Sequence, residues 1–484
     1  MKRIPAYHRW WRYKSYLPDA TLPAHTVECP DCGCRMDIPR LRQGQEAHCP
    51  VCNHEIVEVE NNPYIAPIAY ALTTLILMAF AYNMVYIRVD LFGVTSILSL
   101  PQMMRLLISL DYGFLAEVMF ILTFGAPLLF LLLCLYVYTA LIREKAYPAL
   151  RFATRVLVRL RHWIMVDVFF ISTLVAYIKL SSVATVEFGS AFYLMFPLSV
   201  MLIRTSVSIP QHWVYYKIHR LTGGHAVQTA AEDKICCSRC LYFRDKDEQP
   251  CGVCGADLYR RRPKSLSISL AFLMAAFILY FPANILPIMI SSNPTALEIN
   301  TIFNGIVYMW NDGDRLIAVI IFSASIMLPV LKIIAMAVLI YSAYFKPVMS
   351  ADKMSVLYRI TESIGRWSMI DIFVIIILMS SFHTNMARVV PGGAAIYFCL
   401  VVILTMLSAY YFDPRLIWDK QQQLSDGLDS DTSRTRACQK NQCLHVCRVA
   451  DSADCADCGR LAAGERYPQP RSGRHAFDGQ RGRH

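Results

Sequence analysis

Charge is what this sequence has least of. Asp, Glu, Lys and Arg make up 17% of its 484 residues, where a soluble domain carries about 25%. Apolar residues reach 55% and the mean hydropathy is +0.38. That balance excludes an ordinary water-soluble globular protein. Acidic residues are scarcer than basic ones, 36 against 47, which leaves a formal net charge of +11. Such an excess can mark a nucleic-acid binder, but here the cations sit in separate segments between apolar runs, so no nucleic-acid partner is expected. A G-x-x-x-x-G-K-[ST] loop is also missing, which excludes a P-loop ATP site. No enzymatic activity is expected.

What is abundant is long apolar runs. A helix needs about 20 apolar residues to cross the hydrocarbon core. Eight stretches qualify or nearly so, near Ile65–Tyr86, Ala116–Ile142, Trp163–Ser182, Ala191–Ile209, Leu266–Ile290, Leu316–Ala343, Trp367–Phe382 and Ala394–Phe412. The first sixty or so residues are polar and basic, so no cleavable signal peptide is expected. Lys and Arg crowd the N-terminal segment and the 143–161, 217–264 and 346–366 loops, and the intervening loops are poor in them. The positive-inside rule then predicts eight spans with both termini in the cytoplasm. The 143–161 loop reads as an amphipathic helix on anionic headgroups.

Cysteine is also plentiful, and its spacing is informative. Cys29-Pro-Asp-Cys32 with Cys49-Pro-Val-Cys52, and Cys237-Ser-Arg-Cys240 with Cys251-Gly-Val-Cys254, form two sets of paired CxxC turns. Each turn aims two thiolates at one point, and four complete a closed tetrahedral site. The prediction is two structural Zn2+ ribbons rather than disulfides, since a cytoplasmic segment is reduced. Cys34 and Cys236 break the spacing and are left out.

The chain repeats itself. Asn284 follows Asn83 by 201 residues, Pro329 follows Pro127 by 202, Asp371 follows Asp167 by 204, Trp418 follows Trp213 by 205 and Cys237 follows Cys29 by 208. Each unit is one ribbon plus four helices. Four is even, so the units are parallel rather than inverted. The predicted fold is an all-α polytopic membrane protein of two parallel four-helix repeats, each preceded by a cytoplasmic zinc ribbon. The expected domains are 1–62 (first ribbon), 63–213 (first repeat), 214–264 (second ribbon), 265–419 (second repeat) and 420–484 (a disordered tail).

A few polar residues interrupt the apolar runs. Asp167 and Asp371 stand about one turn inside their helices, and Lys332 lies three residues after Pro329 with its repeat mate near Phe130. A charge there is costly and marks a bundle interior or a polar cavity, with Asp167 and Asp371 as candidate partners for Lys332. Ser325 shares the Lys332 face two turns earlier, Ser368 lies one turn before Asp371, and Thr405 interrupts the last helix. Asp167, Ser325, Lys332, Ser368, Asp371 and Thr405 are predicted to form one polar cluster between the repeats. Two readings stay open: a network that fixes helix packing, and a site that lines a cavity.

The sequence resembles the paraquat-inducible protein A family of bacterial inner-membrane proteins over about Cys29 to Asp419. The resemblance rests on Gly44-Gln45 before the Cys49 pair and on the strings Tyr280–Met289, Ala324–Lys332, Gly365–Asp371 and Phe412–Asp419. It implies an inner-membrane role in lipid traffic between the two membranes. The chain would load or unload phospholipid for an MCE-domain partner that forms a periplasmic tunnel, and would support envelope integrity. Energy would come from an ion or lipid gradient or from elsewhere. Alternatives are a membrane redox or stress protein, suggested by the cysteine content, and a non-transporting scaffold for the MCE partner.

Overall fold

The computed structural model describes residues 18–428, apart from 92–93, 181–184, 225–233, 293–296, 312, 314, 346 and 382–387. The tail from 429 onward lies outside the described residues. The chain is mostly helical, but it is not all-α. Twelve short strands among the described residues form five small sheets. Beyond the two cysteine modules, strands form at the helix ends because the polar connections are long enough to need their own hydrogen bonds. Their alternating residues, such as Ile87-Arg-Val-Asp-Leu91, suit two-faced strands.

The first module is two antiparallel hairpins, β1 (His25–Glu28) with β2 (Arg35–Ile38), and β3 (Gln45–His48) with β4 (Glu55–Val59). Helix α1 (Ile65–Asn83) follows. The hairpin β5 (Ile87–Leu91) and β6 (Val94–Leu98) lies beyond its far end. Helix α2 (Leu100–Ser109) opens on a capping box in which Ser99 N–H donates to Gln102 Oε1 at 2.9 Å, satisfying a first-turn donor. Helices α3 (Gly113–Phe120) and α4 (Ala126–Ile142) form one rod through a π-helical turn, Ile121–Gly125. Then come α5 (Leu150–Leu160), a 3-10 turn at Arg161–Trp163, α6 (Val166–Leu180), β7 (Thr185–Phe188), α7 (Ser190–Val207) and α8 (Gln211–Leu221).

The second half follows the same order. A smaller module with β8 (Lys234–Cys236) and β9 (Phe243–Asp245) leads into α9 (Ser265–Ile285). Strands β10 (Met289–Ser292) and β11 (Leu297–Asn300) precede α10 (Ile302–Asn311). Helices α11 (Arg315–Ile321) and α12 (Leu328–Tyr344) are joined by a π-helical turn at Phe322–Met327. Next are α13 (Ala351–Trp367), α14 (Ile370–Ser381), β12 (Arg388–Pro391), α15 (Ala394–Tyr411) and α16 (Arg415–Leu428). The last helix runs past Asp419 into the region expected to be a disordered tail.

Several details recur at matching positions. The sheets have the same order, β6-β5-β7 and β11-β10-β12. Their central strands set Ile87 opposite Leu98 and Phe188, and Met289 opposite Asn300 and Pro391. Both π-helical turns come just before a proline, Pro127 or Pro329. Proline lacks the N–H that would close the preceding turn, and the widened turn absorbs that defect within a continuous rod. At Pro127 the rod therefore continues through a π-turn. Gly189 and Gly392 lie against the backbone carbonyls of Val85 and Pro287, where any Cβ would collide. That close approach lets β7 and β12 join their sheets.

Among the described residues, seven helical stretches are long and apolar enough to cross a membrane: Ile65–Asn83, Gly113–Ile142, Leu150–Ile178, Ser190–Val207, Ser265–Ile285, Ser325–Tyr344 and Ala394–Tyr411. The third is broken at Ile164, whose backbone is extended, into α5 and α6. Helix α5 does match the amphipathic expectation, but Leu150, Ala153, Thr154 and Leu157 turn its apolar stripe into the protein. Within the membrane region α1 packs on α7, α9 on α15, and α6 on α14. At that last contact the rings of Phe169 and Phe373, 204 positions apart, meet edge to face at 5.4 Å.

Candidate functional site

The eight predicted cysteines gather into two groups, Cys29/Cys32/Cys49/Cys52 and Cys237/Cys240/Cys251/Cys254, with all sulfurs of a group within 4.8 Å of one another. None of the twelve described cysteines is in a disulfide. The four CxxC turns are built alike. Cys29, Cys49, Cys237 and Cys251 each accept, through their carbonyl, the N–H of the residue four positions on: Gly33, Asn53, Leu241 and Gly255. Those four residues all have positive φ, which tightens the turn so that both sulfurs point inward. Each group can hold a metal ion. Cys34 and Cys236 stay outside the groups, as the spacing required.

The two modules touch. His25 and Tyr242 rings lie 5.2 Å apart, and the Arg35 guanidinium sits 5.6 Å from the Phe243 ring. His25 and His212 approach Nε2 to Nε2 at 2.6 Å, and His212 Nδ1 contacts the Cys240 carbonyl. Charged contacts tie the first module to the second half. Arg261 bridges Glu28 and Asp419, and Arg359 pairs with Asp31 at 2.8 Å. Burial raises the Asp31 carboxyl, but the hydrogen bonds from His54 and Arg359 hold it below its ordinary value.

A cavity of about 480 Å³ opens at the module side of the helices, between the two halves. Leu202, Ile203 and Val207 of α7, with Met406 and Leu407 of α15, supply its apolar wall. Its charged residues and histidine are Arg161, His162, Asp167, Lys332, Arg359 and Glu362. Lys332 is 3% exposed, and its Nζ has no hydrogen-bond partner among the described residues. A Cβ on Gly365 would stand only 3.2 Å from that nitrogen, so the bare glycine backbone of α13 makes room for the ammonium. Ser199, on the same cavity, also has a buried hydroxyl without a partner among the described residues.

The predicted polar cluster is only partly assembled. Asp167 and Lys332 share the cavity, but the expected ion pair between them is not formed. Asp167 enters at the first turn of α6 and Lys332 from the interior of α12, so sequence periodicity could not set their separation. Ser325 and Ser368 are buried but do not line the cavity, and the Ser368 hydroxyl has no partner. Thr405 donates to its own helix at Val402 O, 2.9 Å away, which is a packing role. Asp371 stands in the first turn of α14, and its side chain lies outside the described residues. Sequence reasoning missed Arg161, His162, Arg359 and Glu362. One signal was present: Arg359 follows Arg155 by 204 residues, the Asp167–Asp371 offset.

Membrane-length apolar helices, two buried four-cysteine groups and a polar cavity at the helix ends together define a multi-pass membrane protein. The chain belongs to the Paraquat-inducible protein A family, whose description matches residues 65–219 and again 266–422. It is similar to the intermembrane transport protein PqiA of Escherichia coli (strain K12), with 32% identity over 83% of this chain and 97% of that one. It is also similar to the lipophilic envelope-spanning tunnel protein A of the same strain, with 29% identity over 81% of this chain and 91% of the relative. A probable intermembrane transport protein of Haemophilus influenzae (strain ATCC 51907 / DSM 11121 / KW20 / Rd) is 27% identical over 82% and 96%. No solved structure matches the chain.

Proposed function

We propose that the chain is an inner-membrane subunit of an intermembrane lipid transport pathway, which loads or unloads phospholipid for an MCE-domain periplasmic tunnel. The observation that carries this reading is the cavity. It joins an apolar wall to a charged interior in which Arg161, Lys332 and Arg359 outnumber Asp167 and Glu362, and it holds a buried ammonium without a partner among the described residues. An unpaired ammonium in an apolar bundle is costly. A lipid phosphate would neutralise it while the acyl chains follow the apolar wall of α7 and α15. The relatives named for intermembrane transport and for an envelope-spanning tunnel support the same reading.

The architecture proposed with it has eight spans in two parallel repeats, with both termini cytoplasmic. The short apolar helix Ile372–Ser381 is the eighth span. The double match of the family description supports the repeat, as does the contact of Phe169 with its own mate Phe373. Contact between equivalent residues is what a two-fold relation between units produces. The domains proposed remain 1–62, 63–213, 214–264, 265–419 and a tail from 420. The four-cysteine groups are proposed zinc sites. Four thiolates on Zn–S bonds of about 2.3 Å in a tetrahedron stand about 3.8 Å apart. The Cys29–Cys52, Cys32–Cys49, Cys237–Cys254 and Cys240–Cys251 sulfurs stand 3.6, 3.5, 3.6 and 3.7 Å apart. A closed four-thiolate site is structural, and it argues against redox thiols.

The test is Lys332→Ala in a strain lacking this protein and its relatives, scored by rescue of detergent sensitivity after expression and MCE-partner binding are confirmed. Loss of rescue with the complex intact is expected. Full rescue would reduce Lys332 to a packing residue and favour a scaffold for the partner.

A further inference from the structure

Two arginine contacts cross between the modules and the halves, beside contacts that each module makes with its own half, such as Trp213 Nε1–H to the Ala20 carbonyl at 2.7 Å and Arg261 Nε to Asp419 at 2.6 Å. Arg359, on α13 of the second half, donates through Nη2 to the carbonyl of Cys52 in the first module at 3.0 Å, and through Nε to Asp31 at 2.8 Å. Arg155, on α5 of the first half, donates through Nη2 to the carbonyl of Cys254 in the second module at 2.9 Å. The two arginines are 204 residues apart and the two cysteines 202. Each cysteine is the last ligand of its group. The residue after it, Asn53 or Gly255, holds the positive φ that closes the turn. The Arg155 guanidinium lies so near Gly255 that a side chain there would strike it.

Both arginines lead into the cavity. Arg359 is part of its wall, and Gly365, which lies against Lys332, is six residues further along the same helix. Arg155 is likewise six residues before Arg161, the first of the cavity residues at the end of α5. The wall that each half contributes is therefore held by the module that precedes the other half. We infer that Arg155 and Arg359 are positioning residues of a crossed clamp, through which a metal-loaded module in one half sets the cavity wall of the other. The inference rests on the cavity reading above and on metal in the four-cysteine groups. An ordered carbonyl at the last ligand is what each guanidinium grips, and that carbonyl is ordered only while its turn is closed.

The experiment is amide hydrogen exchange by mass spectrometry on the full-length protein in detergent, with metal content measured alongside. Cys49→Ser/Cys52→Ser should speed exchange in α13 and leave α5 protected. Cys251→Ser/Cys254→Ser should do the reverse. Arg359→Met should retain both metals and still speed exchange around residues 361–365 by about tenfold, the effect of losing a charge-assisted hydrogen bond. Arg155→Met should act likewise on α5. Faster exchange in the helix of the same half, equal change in both helices, or no change would each overturn the clamp. The readout contains no lipid, so a failed lipid-transport assay beside a crosswise exchange pattern would count against the transport reading alone.

Discussion

Phe130 and Lys332 stand 202 residues apart, each three positions after the proline that follows a π-helical turn. One is a ring buried to 1% exposure, and the other is an ammonium buried to 3% with no partner among the described residues. The same contrast recurs on the module side. Lys217 of α8 is buried against Trp213, Tyr216 and the Asp19 carbonyl, whereas the residue 205 positions later is Gln422. The halves therefore share what backbone geometry requires: a π-turn before a proline, and a side-chain-free contact at Gly189 and Gly392. Their polar side chains differ. Backbone devices survive in both halves because each half must fold by them. A cavity between two halves needs only one ammonium.

The largest effect expected is on the modules. Cys29→Ser/Cys32→Ser should remove one bound metal of two, read as the metal-to-protein ratio. Because a structural zinc site contributes about 10–16 kcal/mol in small metal-folded domains, the first module should unfold. Retention of both metals would break the four-thiolate assignment.

Next is Phe130→Ala, which should cost about 3–5 kcal/mol as a cavity-forming change, measured as a lower melting temperature. Lys332→Met at the matching position should do the opposite. It removes an unpaired buried polar group of similar length and should gain about 1–3 kcal/mol while losing rescue of detergent sensitivity. Stabilisation with loss of function would separate the two halves cleanly. Destabilisation would mean that Lys332 is a packing element like Phe130.

Smallest per pH unit is a pH dependence confined to the first half. Burial lowers the Lys217 ammonium from its ordinary 10.5 to about 8. Below pH 8 the native and unfolded states are both protonated, and the burial cost is present in full. Between pH 8 and 10.5 the native state sheds its proton first, so this group adds stability as pH rises, by up to about 1.4 kcal/mol per unit. Lys217→Met should flatten that rise in thermal melts between pH 8 and 10. Gln422→Met should not change it.

Much of this was legible in local chemistry. The two four-cysteine groups follow from CxxC spacing because a knuckle is a turn of a few residues and needs no distant partner. The membrane helices follow from composition because the hydrocarbon core sets a length. The strands beyond the helix ends were not legible. Their pairing joins residues as far apart as Ile87 and Phe188, and it depends on two glycines whose role is to let another backbone approach. Helix α6 was placed three residues too early, at Trp163, because hydropathy does not register the extended break at Ile164.

By itself, then, the sequence determined the membrane class, the internal periodicity, the four-cysteine groups and the presence of an ammonium where apolar helices should have none. Each of these is a property of residues close together or of spacing along one helix. Tertiary structure alone decided that Asp167 and Lys332 share a cavity without pairing, that Arg161, Arg359 and Glu362 join them, and that each module grips the opposite half. Those facts depend on side-chain reach across helices brought together from distant parts of the chain. A separation of a few ångströms, which decides between an ion pair and a shared cavity, leaves no trace in residue order.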